Sequence, residues 1–260
     1  MRIELVTLLE KLVLIHLEIL HEDNHLLVIN KPCGLVTQGA ESGLPSVYDA
    51  AIEYLRVKYN KPGNVFVGIV SRLDALASGV LVLARTSKAA SRLSEQIRQQ
   101  STSKRYLALV EGQVETSVRA VQLTHHLLKH DEKHRIEIVD AKRSGAQRAE
   151  LRYHTVLNVG RQSIVEVELV TGRKHQIRVQ LSAIGHPIVG DHKYGSETEW
   201  PDSIGLHCYR NEIEHPTLRE RVTFQSLPRH WQSKIGTRAV ETLSQMMESS
   251  FNLDEADEKG

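Results

Sequence analysis

Residues 118–170 contain four short alternating segments, RAVQLTHHLL, HRIEIV, AELRYHTVL and SIVEVELV, separated by polar turns. Apolar and polar residues alternating with period two mark strands that bury one face. Such strands joined by short connections form an antiparallel sheet, because parallel pairs need long crossovers. The charged KHDEKHR between the first two segments predicts a hairpin tip. Elsewhere the pattern changes. LLVIN (26–30) and VLVLA (80–84) are continuous apolar runs bounded by turn residues, which reads as strands buried on both faces. Lys104–Val110 and the stretch from His207 to Phe224 add further strands. Ser46 is placed to cap a helix over SVYDAAIEYLRVKYN that Pro62-Gly63 ends. Thr86 or Ser87 caps another, with Ala90, Leu93 and Ile97 on one face and its end near Gln100. TGRKHQIRVQLSAIGHPIVG starts as a Thr-Gly turn and runs into a helix that stops near Gly185. Residues 231–247 read as a closing helix and FNLDEADEKG as a disordered tail. Without regular β-α-β alternation, the class is α+β.

A chain of 260 residues can bury roughly 70–75% of its unfolded surface, enough for a full core. With 5% aromatics, that core must rest on Leu, Val, Ile and Ala. Two cysteines, Cys33 and Cys208, exclude a disulfide scaffold or a Cys-rich zinc module and suit a reducing, cytoplasmic setting. The net charge of +1 conceals an asymmetry: the stretch from Glu248 onward carries −4, leaving +5 on the body. This permits a nucleic-acid partner without demanding one. Glu4, Glu10, Lys11 and Glu18 interrupt the greasy opening MRIELVTLLEKLVLIHLEIL, which therefore reads as neither membrane span nor signal peptide. Leu5, Leu8, Leu9 and Leu12 suit one face of a short helix packed on the domain.

The phosphate-loop, dinucleotide-binding and α/β-hydrolase motifs are all absent from the sequence. His21-Glu22-Asp23-Asn24-His25 matches the zinc-protease pattern H-E-x-x-H, which requires a helix to bring both imidazoles to one metal. Here Asp-Asn sits in the middle and LLVIN follows at once, so a turn between strands is the better reading. His126, His130 and His134 recur every fourth residue, but on a hairpin they do not converge.

Three other segments concentrate reactive groups: Arg72-Leu73-Asp74 with Ala77-Ser78-Gly79, Lys104-Arg105-Tyr106, and Thr171–Arg178. Alone, the first reads better as a surface Arg–Asp pair in a turn, and the others as solvated strand or helix ends. Together they resemble the pseudouridine synthases of the RluA-like family over roughly residues 19–230. ILHEDNHLLVINKPCGLVTQ resembles the family's opening strand, turn and Lys-Pro-x-Gly element. SRLDALASGVLVLART resembles its catalytic motif, normally His-Arg-Leu-Asp, two variable residues and Thr-Ser-Gly. KRYLALVEG resembles the tyrosine motif, TGRKHQIRVQLSAIGHPIVGDHKYG the C-terminal signature, and LHCYRNEIEHP continues the pattern. Ser71 stands where the family has His and Ala77 where it has Thr, while Ala75 and Leu76 fill the variable pair. These departures leave the Arg-Leu-Asp core intact.

The resemblance implies a pseudouridine synthase fold, with a central, mostly antiparallel mixed sheet, flanking helices and an active-site cleft. It divides the chain into an N-terminal extension (1–18), a catalytic domain (19–230) and a C-terminal helix with acidic tail (231–260), without an S4-type RNA-binding module. The implied reaction isomerises uridine in ribosomal or transfer RNA: the N–C1′ bond breaks, the base turns, and a C5–C1′ bond forms. No metal or cofactor is implied. Asp74 is the expected catalytic carboxylate, attacking C1′ or abstracting the C2′ proton. Arg178 is expected to keep it ionised and oriented, and Tyr106 to stack on uracil and assist C5 proton removal. Arg72, Lys31, Arg85, Lys104, Arg105, Arg173 and Lys174 are the expected RNA contacts, Arg173 and Lys174 foremost. The resulting expectation is a monomeric cytoplasmic RNA-modifying enzyme with no membrane attachment. The alternatives are an RNA-binding descendant that has lost catalysis and a metal-dependent hydrolase.

Overall fold

The computed structural model describes residues 15–39, 45–116, 119–130, 135–201 and 203–257. The short helix expected around Leu5–Leu12 and residues 131–134 of the hairpin tip lie outside these. The chain opens with strands β1 (Glu18–Glu22) and β2 (Leu26–Lys31), followed by helix α1 (Val47–Lys58). Strands β3 (Gly68–Ile69) and β4 (Ser78–Ala84) precede α2 (Ser87–Arg98). The alternating block forms from β5 (Ser103–Glu111), β6 (Val121–His130), β7 (Arg135–Val139), β8 (Gln147–Val159) and β9 (Gln162–Leu169). Helix α3 (Gln176–Ala183), β10 (Leu206–Glu214), β11 (Arg221–Gln225), α4 (Gln232–Ile235) and α5 (Thr237–Asp257) complete the chain.

All these strands join one sheet in the order β1-β2-β4-β10-β5-β9-β8-β6-β7, with β11 on β10 and β3 on β4. The β4–β10 pair is parallel and the other described pairs are antiparallel. The continuous apolar runs are explained by burial on both faces. Leu27 and Ile29 of β2, with Leu81 and Leu83 of β4, enter one core beside α1. Leu26 and Val28, with Val80 and Val82, enter another beside Ala89 and Leu93 of α2. Strand β5 alternates likewise, Tyr106, Ala108 and Val110 facing the first core and Leu107 and Leu109 a third, built on Trp231 and α5.

The helix starts follow the local chemistry. Ser46 caps α1 in a reciprocal box with Asp49, and Thr86 caps α2 by accepting from the Ala89 N–H. The tail differs from the sequence expectation: residues 251–257 continue α5 instead of forming a disordered tail. Neither Gly nor Pro interrupts Thr237–Asp257, and helix propagation adds one hydrogen bond per residue once a turn exists.

Strand β10 brings the distant motifs together. Cys208 pairs with Gly79 on one side and Tyr106 on the other. The approach at Gly79 is too close for any side chain: its φ is +115°, and a Cβ there would lie 2.2 Å from the Cys208 carbonyl oxygen. Next to it, the Ser78 hydroxyl bonds His207 Nδ1 at 2.8 Å. Ser78-Gly79 thus joins β4 to β10 and fixes the loop just ahead of β4.

Candidate active site

That loop carries Asp74, and it is clamped on both sides. Thr37 Oγ1 donates to the Leu73 carbonyl at 3.0 Å and accepts from the Leu73 N–H at 3.3 Å. Lys31 is fully buried, and its ammonium donates to the carbonyls of Pro32 (2.7 Å), Leu35 (2.8 Å) and Ala75 (3.1 Å). Its three N–H groups are therefore spent on backbone. This corrects the expectation that Lys31 meets phosphate: it is an internal strut for the loop. Burial lowers its pKa to about 8, against the pull of Cys33 and Asp74. Within the turn, the Leu76 N–H donates to Asp74 Oδ1 at 3.1 Å and the Ala77 N–H to the Asp74 carbonyl at 3.2 Å.

Helix α3 supplies the countercharge. Gln176 anchors its start by accepting from Thr171 Oγ1 (2.8 Å) and the Arg173 N–H (2.9 Å) while donating to the Glu150 carbonyl (3.0 Å). Arg178, 4% exposed, then donates from Nη1 to Asp74 Oδ2 at 2.6 Å. Its Nε and Nη2 fork onto both oxygens of the buried Asp191, at 2.6 and 2.7 Å. The Tyr194 ring lies beneath the guanidinium, 5.0 Å away. Burial would raise the Asp74 carboxyl. The Arg178 charge, His175 and the Leu76 N–H outweigh it and hold the group below the usual carboxylate value. The result is an ionised carboxylate, 17% exposed in its side chain and locked in orientation.

Tyr106 packs into the same buried cluster as Leu73, Ala77 and Ile177, the residues flanking Asp74 and Arg178. Burial, with Cys208 nearby, raises its phenol well above the ordinary value, so it is a neutral O–H group at physiological pH.

The basic candidates separate by position. Arg72, Arg173 and Lys174 are exposed on the two segments that carry Asp74 and Arg178. Arg105 does not join them. Strand alternation turns it to the face opposite Tyr106, where it pairs with Glu166 at 3.6 Å. Arg85 is tied to Glu22 at 3.0 Å and stacks on Tyr59. Lys104 lines a small cavity with Ser71 and Asn211, and burial lowers its ammonium pKa.

Sequence reasoning missed three residues of the site: His175, Asp191 and Tyr194. His175 Nε2 lies 3.2 Å from Asp74 Oδ2, and its Nδ1 bonds the Tyr194 hydroxyl at 2.8 Å. All three lie inside the C-terminal signature, but no residue pattern there marks them apart from their neighbours. The HEDNH segment is not helical: His21 and Glu22 end β1, and residues 23–25 form the turn into β2. Among the described residues, no group of three or more His, Cys, Asp or Glu is placed to hold a metal. Nor is any described helix long and apolar enough to cross a membrane.

Residues 25–183 match the family profile for RNA pseudouridylate synthase. The ribosomal large subunit pseudouridine synthase C of Haemophilus influenzae is 34% identical over 225 residues, covering 84% of this chain and 67% of that protein. Its Escherichia coli K12 namesake is 39% identical over 213 residues, covering 78% and 63%. The chain thus spans about two thirds of the length of these relatives. Among solved structures, human RNA pseudouridylate synthase domain containing 1 superposes with a TM-score of 0.67 at 26% identity, covering 84% of this chain and 86% of that one.

Proposed function

Since the chain belongs to the RNA pseudouridylate synthase family, isomerases that act on RNA, we propose that it converts uridines of ribosomal RNA to pseudouridine, with Asp74 as the group that opens the reaction. The observation that carries this reading is the Asp74–Arg178 pair: a part-buried carboxylate with one oxygen fixed at 2.6 Å on a buried guanidinium and the other accepting the Leu76 N–H at 3.1 Å. An ionised Asp74 serves either attack at C1′ or abstraction of the C2′ proton. The N1–C1′ electron pair leaves with uracil, the base turns, C5 bonds C1′, and the C5 proton is lost while N1 gains one. The sum is redox-neutral and consumes no co-substrate.

A stacked uridine cannot reach a carboxylate fixed in this way, so the target nucleotide flips out, at a cost of a few kcal/mol. Tyr106 offers the platform for the flipped base, and Arg72, Arg173 and Lys174 contact the flanking phosphates. Ribosomal RNA is favoured over transfer RNA because the named bacterial relatives are ribosomal large subunit enzymes. We take the protein to act as a cytoplasmic monomer, a setting that suits its two unpaired thiols. Pseudouridine mapping of ribosomal and transfer RNA, with and without the gene, tests the reading. Loss of one or more sites in large-subunit RNA is expected. Loss confined to transfer RNA redirects the substrate, and unchanged maps in both sink the proposal.

A further inference from the structure

His175 occupies a conformation that side chains avoid. Its φ and ψ are 53° and 19°, left-handed, immediately ahead of α3, and it makes no side-chain cap for that helix. Left-handed backbone is unfavourable for a residue with a Cβ, which crowds the following carbonyl oxygen. Such strain persists only where the surroundings over-determine it, typically at functional sites. Here the surroundings are polar and ordered. The Ile136 N–H, at the start of β7, donates to Tyr194 Oη at 3.0 Å. That takes one of the hydroxyl's two lone pairs and leaves its proton to go to His175 Nδ1, 2.8 Å away, the arrangement that turns an Nε2–H toward the acceptor-only Asp74 carboxylate. The neutral ring then carries its own proton on Nε2, which faces Asp74 Oδ2 at 3.2 Å.

We propose that His175 is a positioning residue, held in one tautomer by Tyr194, that commits Asp74 Oδ2 to the protein and leaves Oδ1 as the oxygen presented to the sugar. This rests on the pseudouridine synthase reading. Oδ2 accepts from Arg178 Nη1 and lies 3.2 Å from His175 Nε2, whereas among the described residues Oδ1 accepts from the Leu76 N–H alone. The ring stays neutral across the working range. Burial and the cations Arg178, Lys174 and Lys193 push its pKa down to about 4, against the pull of Asp74. A neutral N–H orients the carboxylate without competing for its proton.

Four variants separate positioning from backbone support. Asparagine tolerates left-handed backbone well but is too short to span Asp74 and Tyr194. His175→Asn should therefore lower kcat on the order of 10–100-fold with KM little changed, the loss expected when a reacting group is misplaced by a fraction of an ångström. His175→Phe should do the same. His175→Gln, whose amide N–H can reach the position of Nε2, should recover most of kcat, and Tyr194→Phe should fall between. Wild-type kcat in His175→Asn, or His175→Gln no better than His175→Phe, overturns the proposal. Nitrogen-15 spectra of the His175 ring provide a readout independent of turnover. The Nε2–H tautomer should persist down to about pH 4, and Tyr194→Phe should mix the tautomers. A ring that is Nδ1–H, or charged at neutral pH, refutes the arrangement. If wild-type protein releases no tritium from 5-tritiated uridine in RNA, the function is at fault, while the spectra still decide the geometry.

Discussion

Two turns in this molecule are built from the same parts. At the β1–β2 turn, Asp23 sits between His21 and His215; ahead of β4, Asp74 sits between Arg178 and His175. Both carboxyls are held below their ordinary value: burial raises each, and hydrogen bonds or charge outweigh it. They differ in how completely their oxygens are used. Asp23 Oδ1 accepts the N–H groups of His25 (2.6 Å) and Leu26 (2.7 Å), and Oδ2 lies 2.9 Å from Nε2 of both histidines. A carboxylate offers about four lone-pair sites, so Asp23 is saturated, whereas among the described residues Asp74 keeps one open on Oδ1. Asp23 is nevertheless the more exposed, 30% against 17% for the side chain. Exposure and pKa direction therefore do not distinguish these two acids; the lone pair left open on Oδ1 does, and under the proposed reaction it is the one Asp74 uses.

Asparagine at each turn should give opposite outcomes. Asp74→Asn removes the nucleophilic or basic oxygen, so turnover should fall by at least on the order of 10³. Its melting curve should barely move, because Arg178 keeps its two bonds to Asp191 and no buried charge is orphaned. Asp23→Asn should do the reverse. An amide cannot accept from all four donors, so stability should drop by about 1–3 kcal/mol in denaturant unfolding, with the activity of the folded fraction intact. Tritium release and unfolding measured on both variants decide the matter, and exchanged phenotypes would reverse the two assignments.

Tyr106→Phe should have an intermediate effect. It preserves the ring against the Leu73–Ala77 cluster and removes an O–H that burial keeps protonated. Product formation should fall on the order of 10–10²-fold while RNA binding stays near normal. Equal turnover would reduce Tyr106 to a stacking platform.

Acid titration separates the turns more gently. Burial raises Glu22, but hydrogen bonds from Lys58, Tyr59 and Tyr54 bring it down to about 2, while Asp23 beside it is lowered as well. Carboxyls depressed in the folded state contribute stability that is present above the unfolded value, about 4. That contribution is lost as pH falls through the folded one. Stability should therefore decline from about pH 4–5 downward, and Asp23→Asn should flatten the decline. An unchanged acid limb would show that the β1–β2 turn does not govern it.

The fold was legible where a residue acts on its own neighbours. Ser46 and Thr86 cap the helices they precede, and the LLVIN and VLVLA runs are strands buried on both sides because each face meets a different core. It was illegible where partners come from far along the chain. Lys31 reads as a surface cation until the Ala75 carbonyl, 44 residues away, is placed against it. Arg105 reads as Tyr106's companion until strand alternation turns it to Glu166. Asp74 and Arg178 were found through the motifs that contain them, but nothing in those motifs separates a second arginine partner, Asp191, from any loop acid. His175 carries its signal in a backbone angle that composition does not disclose.

The smallest effect concerns the surface around the two turns. Both bear exposed cations, but those at the β1–β2 turn are engaged: Lys58 is 2.6 Å from Glu22. Arg173 and Lys174 stand exposed beside the Asp74 site, and the Arg173 side chain donates from Nε to the Arg148 carbonyl, with no carboxylate paired to it among the described residues. Each phosphate neutralised by such a group releases counterions and adds about 0.7–0.9 to the slope of log affinity against log salt. Replacing both by alanine should therefore flatten that slope by about 1.4–1.8, with the loss in affinity shrinking as salt rises. Lys58→Ala should leave the slope alone, since its charge already faces a carboxylate. Arg105→Ala should do likewise, because its guanidinium points away from the site toward Glu166. A slope that responds to Lys58 or Arg105 and ignores Arg173 and Lys174 would place the RNA across the structural turn. The open oxygen of Asp74 would then face no substrate.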